Sequence, residues 1–381
     1  MRIATAVLML VVVTACGPAA GPAPTSAPAR PAESKPAATA APAKPTEVAK
    51  APDAKPTLPP SGQAAAAKPA EPRKVKVTQA AATLAFLPIN VARYKGFFAQ
   101  QGLEIEQLST GGGGPDLQAL ISGDVEFNAG AGTYQADAFR QGQKVINVFN
   151  YLDKNVVNVA MHIDIARERG ITEQSPLKDK LAALKGLNFG ATRPGALTFQ
   201  QAEYHVRSAG LKPQEDVQVV GAGEGPALLA ALETRQVDVI LQTVPVAEQA
   251  VARGKAIMLI NNAKGEDPAL VPFNMENVFT RPDLAEKDPE LVQKFVNAVK
   301  AANDWVLKTS PEEIAAAIKP DFAQMDETVL VAGVANVKAA TNGSGLLDKR
   351  AVANTLAMQQ QTISVDDVYN LFVDKFVKAA T

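Results

Sequence analysis

Cysteine, histidine and tryptophan are nearly absent: the 381 residues hold one Cys, two His and one Trp. A single Cys excludes an intramolecular disulfide, and with so few thiols and imidazoles a zinc site would have to lean on carboxylates. An excess of either charge is missing too. Lys plus Arg number 38 and Asp plus Glu 39, which argues against a nucleic-acid partner, because a phosphate-binding domain carries a basic surplus. The apolar run at 6–13 falls far short of the roughly 20 residues that span a bilayer as a helix. What remains is the composition of a soluble protein long enough for two lobes.

Three segments differ in their physics. Residues 1–15 carry Arg2, the apolar run and then small residues, the pattern of an export signal. The run Val13-Thr14-Ala15-Cys16 resembles the bacterial lipobox, which implies acylation of Cys16. From Gly17 to Pro72 there are 14 Pro and 19 Ala among 56 residues, no aromatic residue, and only Val48 and Leu58 as larger aliphatics. Nothing there can form a core, so 16–72 reads as a disordered Ala/Pro-rich tether reaching about 170 Å as polyproline II or about 40 Å as a coil. Its six cations are dilute and mixed with four acids, so attachment to a membrane is expected only through the lipid. The folded part, from 73 onward, has 31 basic and 35 acidic residues, a balance that identifies no partner.

Within it, β-branched runs bounded by Gly, Pro or Asn predict strands at 75–78, 103–108, 125–129, 145–149, 156–160, 188–191, 217–220, 237–241 and 257–260. Helix-length segments lie between most of them, opened by Pro88, Pro115, Pro176 and Pro226 and closed by Gly102, Gly123, Gly142, Gly210 and Gly254. Regular alternation of strand and helix implies α/β layers. Past Pro282 the pattern predicts helices at 289–308, 311–318 after the cap Ser310, 326–340, 348–360, and 365–378 after the cap Ser364.

An internal near-repeat stands out. At an offset of 112, Ala119 pairs with Ala231, Leu120 with Leu232, Val125 with Val237, Glu126 with Asp238, Ala138 with Ala250, Gly142 with Gly254 and Val145 with Ile257. Two α/β lobes of similar plan follow. Their strand ends and helix starts face a shared crevice, where ligands bind in open sheets and unpaired helix-start amides accept polar groups. The turns placed there are 83–87, 110–116, 130–134, 192–198, 223–226 and 242–245. They supply the candidate ligand-binding residues Thr83, Phe86, Thr110, Gly113, Gly132, Thr133, Tyr134, Arg193, Gly195, Ala196, Thr198, Glu224, Gln242 and Thr243.

Each chemical candidate has a plainer reading. Gly111 to Gly114 lacks a following Lys-Ser/Thr pair, so it is no P-loop but a flexible turn that admits a ligand close to backbone. Arg193 could clamp a carboxylate, sulfonate or phosphate, or be a solvated turn residue. Glu224 facing the cleft would repel a bare anion and favour a ligand with donor groups, or it is an exposed carboxylate near a helix start. Tyr134 and Phe86 could stack on a ring or pack in the core. His162 and His205 read as structural, no Ser-His-acid grouping is readable, and no cofactor is expected.

The run Pro88-Ile89-Asn90-Val91-Ala92-Arg93-Tyr94-Lys95-Gly96-Phe97-Phe98, with Gly102-Leu103-Glu104-Ile105, resembles the start of the nitrate/sulfonate/taurine-type substrate-binding proteins of ABC importers, related to the thiamine-pyrimidine precursor binders. Further matches are Ala119-Leu120-Ile121-Ser122-Gly123-Asp124-Val125-Glu126-Phe127 and Leu184-Lys185-Gly186-Leu187-Asn188-Phe189-Gly190. The resemblance implies an α/β periplasmic-binding-protein type II fold: two lobes of mixed sheets flanked by helices, with a helical C-terminal region. Lobe 1 is expected at 73–158, lobe 2 at 159–265, and the return to lobe 1 with the C-terminal helices at 266–381, the chain crossing near 155–162 and 261–273. It also implies an exported, lipid-anchored, monomeric receptor that captures a small molecule and hands it to an ABC permease. A dehydratase-like enzyme on the same fold is the alternative. Eukaryotic pyrimidine synthases on this fold resemble suicide enzymes with a Cys-rich motif and a pyridoxal-binding Lys; here the one Cys lies in the export segment, which excludes that chemistry. Gln236 stands where the family has Gly, the mark of a divergent member. Sulfonate, nitrate-like anion, aromatic carboxylate and pyrimidine ligands all stay open.

Overall fold

Apolar runs bounded by turn residues produce nine strands where the sequence predicts them, and a tenth forms where it does not. The computed structural model describes residues 71–80 and 83–380; the export segment, Cys16 and all but the last two residues of the tether lie outside the described residues. The strands are β1 (Arg73–Gln79), β2 (Leu103–Ser109), β3 (Phe127–Ala131), β4 (Ile146–Leu152), β5 (Val157–His162), β6 (Asn188–Ala191), β7 (Gln218–Gly221), β8 (Val239–Thr243), β9 (Ala256–Ile260) and β10 (Glu276–Thr280). They form two five-stranded sheets, ordered β2-β1-β3-β10-β4 and β7-β6-β8-β5-β9. Each sheet is mixed: β10 runs antiparallel to β3 and β4, and β5 antiparallel to β8 and β9. The chain passes from one sheet to the other between Leu152 and Val157, and back between Ile260 and Glu276.

The two orders superpose when β2, β1, β3, β10 and β4 are matched with β7, β6, β8, β5 and β9. The acid of the sequence repeat does the same work in both halves. Glu126 Oε2 accepts the Lys76 amide at 2.8 Å, and Asp238 Oδ2 accepts the Asn188 amide at 2.9 Å. Each carboxylate thus satisfies a backbone donor of the neighbouring parallel strand, Lys76 within β1 and Asn188 at the start of β6.

Helices cover both faces, so β3, β4, β5, β8 and β10 are buried along their whole length. The helix Pro289–Lys308 packs on the first sheet, Phe295 stacking on Phe127 with ring centroids 4.0 Å apart. Its start is set by Asp288, which accepts the Leu291 amide at 3.0 Å. Ser310, Asp326 and Asp348 cap the next three helices in the same way. The expected final helix at 365–378 is broken instead into Val365–Tyr369 and Lys375–Lys378. Between them the chain pairs with the edge of β4: Asn147 donates to the Leu371 carbonyl at 3.0 Å and accepts from the Val373 amide at 2.8 Å. Covering an otherwise open strand edge outweighs local helix propensity.

His205, on the helix Leu197–Ser208, is fully buried, and its Nδ1 lies 3.9 Å from Asp267, beyond hydrogen-bond reach. Burial holds this imidazole down at about 3. The unfolded chain, with a pKa of roughly 6.5, binds a proton that the folded state refuses, so stability falls as pH drops from about 6.5 toward 3. The loss attributable to His205 is about 3 kcal/mol by pH 4. Asp116, which burial pushes up to about 6, acts in the opposite sense, gaining stability as pH falls. Comparing wild type with His205→Gln cancels that contribution. Urea unfolding at pH 7 and pH 4 is expected to show the variant losing about 3 kcal/mol less than wild type; equal losses would place the proton uptake elsewhere.

Candidate functional site

The carboxyl ends of the parallel strands of both sheets face one crevice, and the turns that leave them meet around a cavity of about 40 Å³. From the first half it is lined by Ala80, Thr83, Phe86, Gly111, Ala131, Tyr134 and Glu276. The second half contributes Thr192, Ala196, Leu197, Thr198, Gln242 and Thr243. Seven of the fourteen sequence candidates are therefore brought together: Thr83, Phe86, Tyr134, Ala196, Thr198, Gln242 and Thr243.

The second half's wall is a hydroxyl and amide cluster. Thr198 Oγ1 donates to Thr192 Oγ1 at 2.8 Å and accepts the Thr192 amide at 3.2 Å. Gln242 Nε2 reaches Thr192 Oγ1 at 3.3 Å, while Gln242 Oε1 accepts from the amide and hydroxyl of Thr243 at 2.8 and 3.1 Å. On the first half, Tyr134 OH accepts the Gly113 amide at 2.6 Å and donates to Asp116 Oδ2 at 3.3 Å, and Thr110 Oγ1 hydrogen-bonds the other oxygen of Asp116. Burial raises the Asp116 acid to about 6, against the opposing hydrogen bonds from Thr110 and Tyr134. Burial, followed by the charge of Asp116, pushes Glu276 well above the usual carboxylate range, and burial does the same for Tyr134.

The remaining candidates take other places. Arg193 does not line the cavity; its Nη2 donates across the crevice to the Thr110 carbonyl at 2.6 Å. Gly113 and Gly195 touch each other's turns and line, with Tyr134, an adjoining pocket of about 160 Å³. Gly132 precedes the helix Thr133–Arg140, its Cα so close to Asn274 that a β-carbon would fall 2.1 Å from that residue's carbonyl oxygen. Thr133 is buried beside it, outside the lining. Glu224 stands before the helix Gly225–Glu233, half-buried, and lines neither this cavity nor the groove of about 550 Å³ that opens beyond Thr83. His162 precedes the helix Ile163–Glu168, accepting the Asp164 amide on Nδ1.

Four lining residues, Gly111, Ala131, Thr192 and Leu197, fall inside turns that the sequence marks without being singled out there. Glu276 and Ala80 lie outside every such turn. The short run Val278-Phe279-Thr280 before Arg281-Pro282 is the one trace in the sequence of the strand carrying Glu276, too short to mark it by itself.

The two halves are closed on each other. Besides the Arg193 bond, Leu84 donates its amide to the Val244 carbonyl at 3.3 Å, and Gln200 Nε2 reaches Asp137 Oδ2 at 3.1 Å. Glycines permit this approach. At Gly111, with φ of 77°, a β-carbon would fall 1.6 Å from Arg193 Nη2; at Gly113, with φ of 70°, it would lie 3.0 Å from the Ala196 nitrogen.

Comparison with known proteins agrees with this architecture. YtlA of Bacillus subtilis, whose name assigns it provisionally as a binding protein, is 24% identical over 267 residues, 70% of this chain and 75% of that one. The 4-amino-5-hydroxymethyl-2-methylpyrimidine phosphate synthase THI11 of Saccharomyces cerevisiae is 26% identical over 227 residues, 58% of this chain and 63% of that protein. Among solved structures, a protein of Bordetella bronchiseptica RB50 aligns with a TM-score of 0.71 at 21% identity, covering 81% of this chain and 96% of that one. The periplasmic nitrate-binding protein NrtA of Synechocystis PCC 6803 aligns at 0.65 and 14% identity, covering 81% and 88%. The alkanesulfonate-binding protein SsuA of Xanthomonas axonopodis pv. citri, bound to MOPS, aligns at 0.62 and 15% identity, covering 80% and 99%. The fold is that of the periplasmic binding proteins, and with a match across residues 68–319 the chain belongs to the NMT1-like family.

Proposed function

We propose that this chain is an exported solute-binding protein, held to a membrane by a lipid on Cys16, that encloses a small ligand between its two halves and delivers it to an ABC permease. The observation that carries the reading is the cavity at which turns from both sheets meet. A ligand there touches both halves only when they are closed, so its differential affinity for the closed form drives closure, and the closed form is what a permease can distinguish. The names of YtlA, NrtA and SsuA support capture rather than conversion, and the tether gives a membrane-held domain the reach to find ligand and permease.

The anchor is tested by fractionation. Wild-type chain expressed in a bacterium is expected to partition into detergent with an acylated Cys16, and Cys16→Ser to leave unlipidated precursor; an intact mass showing an unmodified mature Cys16 overturns that part of the reading.

Capture is tested by titrating the chain with sulfonates, nitrate, aromatic carboxylates and pyrimidines and following compaction by small-angle scattering. A ligand that binds without compaction refutes closure. Because the Arg193 guanidinium is engaged by the Thr110 carbonyl, Arg193→Ala removes a charged hydrogen bond made in the closed form. Such a bond contributes about 1.5 to 3 kcal/mol, so affinity is expected to fall roughly ten- to a hundredfold. Neutral and charged ligands should suffer alike, whereas a loss confined to anions would put the guanidinium on the ligand instead.

A further inference from the structure

We infer that the C-terminal helices brace the two halves against each other from outside the cavity, holding the closed form even when no ligand is bound, with Gly333 as the point of contact on which the brace depends. The inference rests on the closure of two halves in the solute-receptor reading and adds the element that sets its balance.

The helix Glu327–Ala339 carries a glycine in its interior, where that residue is a poor helix former. Gly333 has no positive φ, so the backbone does not require it. Packing does. A β-carbon there would fall 2.7 Å from Leu84 Cδ1 in the first half, and 3.0 Å from Pro245 Cβ and 3.2 Å from Val244 Cγ1 in the second. Leu84 and Val244 share one of the backbone bonds that join the halves, so Gly333 abuts that junction directly. The helix itself packs on the helix Pro311–Ile318, which packs in turn on the helix Leu87–Tyr94 of the first half. Its C-terminal end holds the chain's first passage between the halves: the Ala339 carbonyl accepts from Lys154 Nζ at 2.8 Å, and the Ala340 carbonyl from the Asp153 amide at 3.3 Å.

The helix Lys349–Met358 serves the second passage in the same way. Asn354 Nδ2 donates to the Pro272 carbonyl at 2.8 Å, and Thr355 Oγ1 accepts the Asn274 amide at 3.2 Å. Just past its end, Gln359 Nε2 reaches Asp137 Oδ1 in the first half at 3.3 Å and Gln200 Oε1 in the second at 3.2 Å. Arg207 of the second half donates to the Met358 carbonyl at 3.4 Å. Each passage is therefore held by a helix that, at or just past its own residues, also touches the second half.

None of these residues lines the cavity, so the contacts act whether or not it is occupied. Pro245, which Gly333 touches, also lines the groove of about 550 Å³, across which the second half stands away from 320–325. The contact at Gly333 is thus local, and the groove leaves space for the second half to turn about it. A side chain at Gly333 would part Leu84 from Val244 without replacing any residue of the cavity wall.

Distance measurements between spin labels test the inference on the full chain in detergent. The labels sit on cysteines placed at the exposed Glu104 and Gln218, on the outer strands β2 and β7, with Cys16→Ser removing the native thiol. With no solute added, the chain is expected to populate the distance of the closed form. Gly333→Leu is expected to lower the closed-to-open ratio about tenfold or more, the scale of overpacking a fitted contact. Gly333→Ala and Gln359→Ala should each lower it by a smaller factor. Cooperative urea unfolding establishes that each variant is folded; if Gly333→Leu is not, Gly333→Ala and Gln359→Ala decide. An unchanged ratio in the folded variants overturns the inference, as does a wild type with no closed population in the absence of solute. A distance that shortens with nitrate or ethanesulfonate equally in wild type and Gly333→Leu would overturn the brace yet leave the receptor reading standing. One fixed distance in wild type, in every variant and with every solute tested would overturn closure itself.

Discussion

One antiparallel strand in each sheet governs the position of everything else. A strand that runs against its neighbours begins where they end. Glu276, the first residue of β10, is paired with Ala131, the last of β3, and with Leu152, the last of β4. Val157, the first of β5, is paired with Thr243, the last of β8. Both passages of the chain between the halves feed these two strands, so both must lie at the strand ends that also launch the ligand-facing turns. The passages between the halves and the cavity are therefore neighbours by topology, so that under the proposed function a ligand in the crevice would act close to the axis of closure.

Closure then depends on how near two sets of turns can come. The contact across the crevice is mostly backbone and small side chains: Gly111 under the Arg193 guanidinium, Gly113 against Gly195 and Ala196. These contacts are individually modest, and a charged hydrogen bond such as that from Arg193 to Thr110 is among the stronger of them. Under the proposed function, a latch of this strength would be reversed by losing the ligand.

Much of this was legible in the sequence, and what was not has a physical cause. Strands β1 to β9 declare themselves through apolar runs bounded by turn residues, and the helix caps Ser310 and Ser364 through their position before apolar periodicity, whereas Asp288, Asp326 and Asp348 emerge as caps only in the structure. β10 does not, because Glu276, Asn277 and Thr280 leave only Val278-Phe279 as an apolar run and its polar residues resemble a loop. Asn277 Oδ1 accepts from Asn147 at 2.6 Å and from Asn150 at 2.8 Å, a pairing no local pattern reveals. The turns were readable as a set from the strand-helix order, whereas the role of a residue within them was not: Arg193 finds its partner 83 residues away. The acid that defines the cavity's polarity sits on the one strand that the pattern hides.

The first half's wall carries a chain of bonds with a directional consequence. The Gly113 amide donates to Tyr134 OH, Tyr134 OH donates to Asp116, and Asp116 also holds Thr110, whose carbonyl receives Arg193 from the other half. Tyr134 thus stands between the cavity and two of the turn residues that touch the second half, Thr110 and Gly113. A ligand that shifts the Tyr134 ring displaces the acceptor of the Gly113 amide, and Gly113 in turn packs on Ala196. Because Asp116 is fully buried, its hydrogen bonds cannot be exchanged for bonds to water without cost, so the chain behaves as a unit rather than as separate contacts. Occupancy of the cavity and the fit between the halves are therefore two readings of one set of bonds.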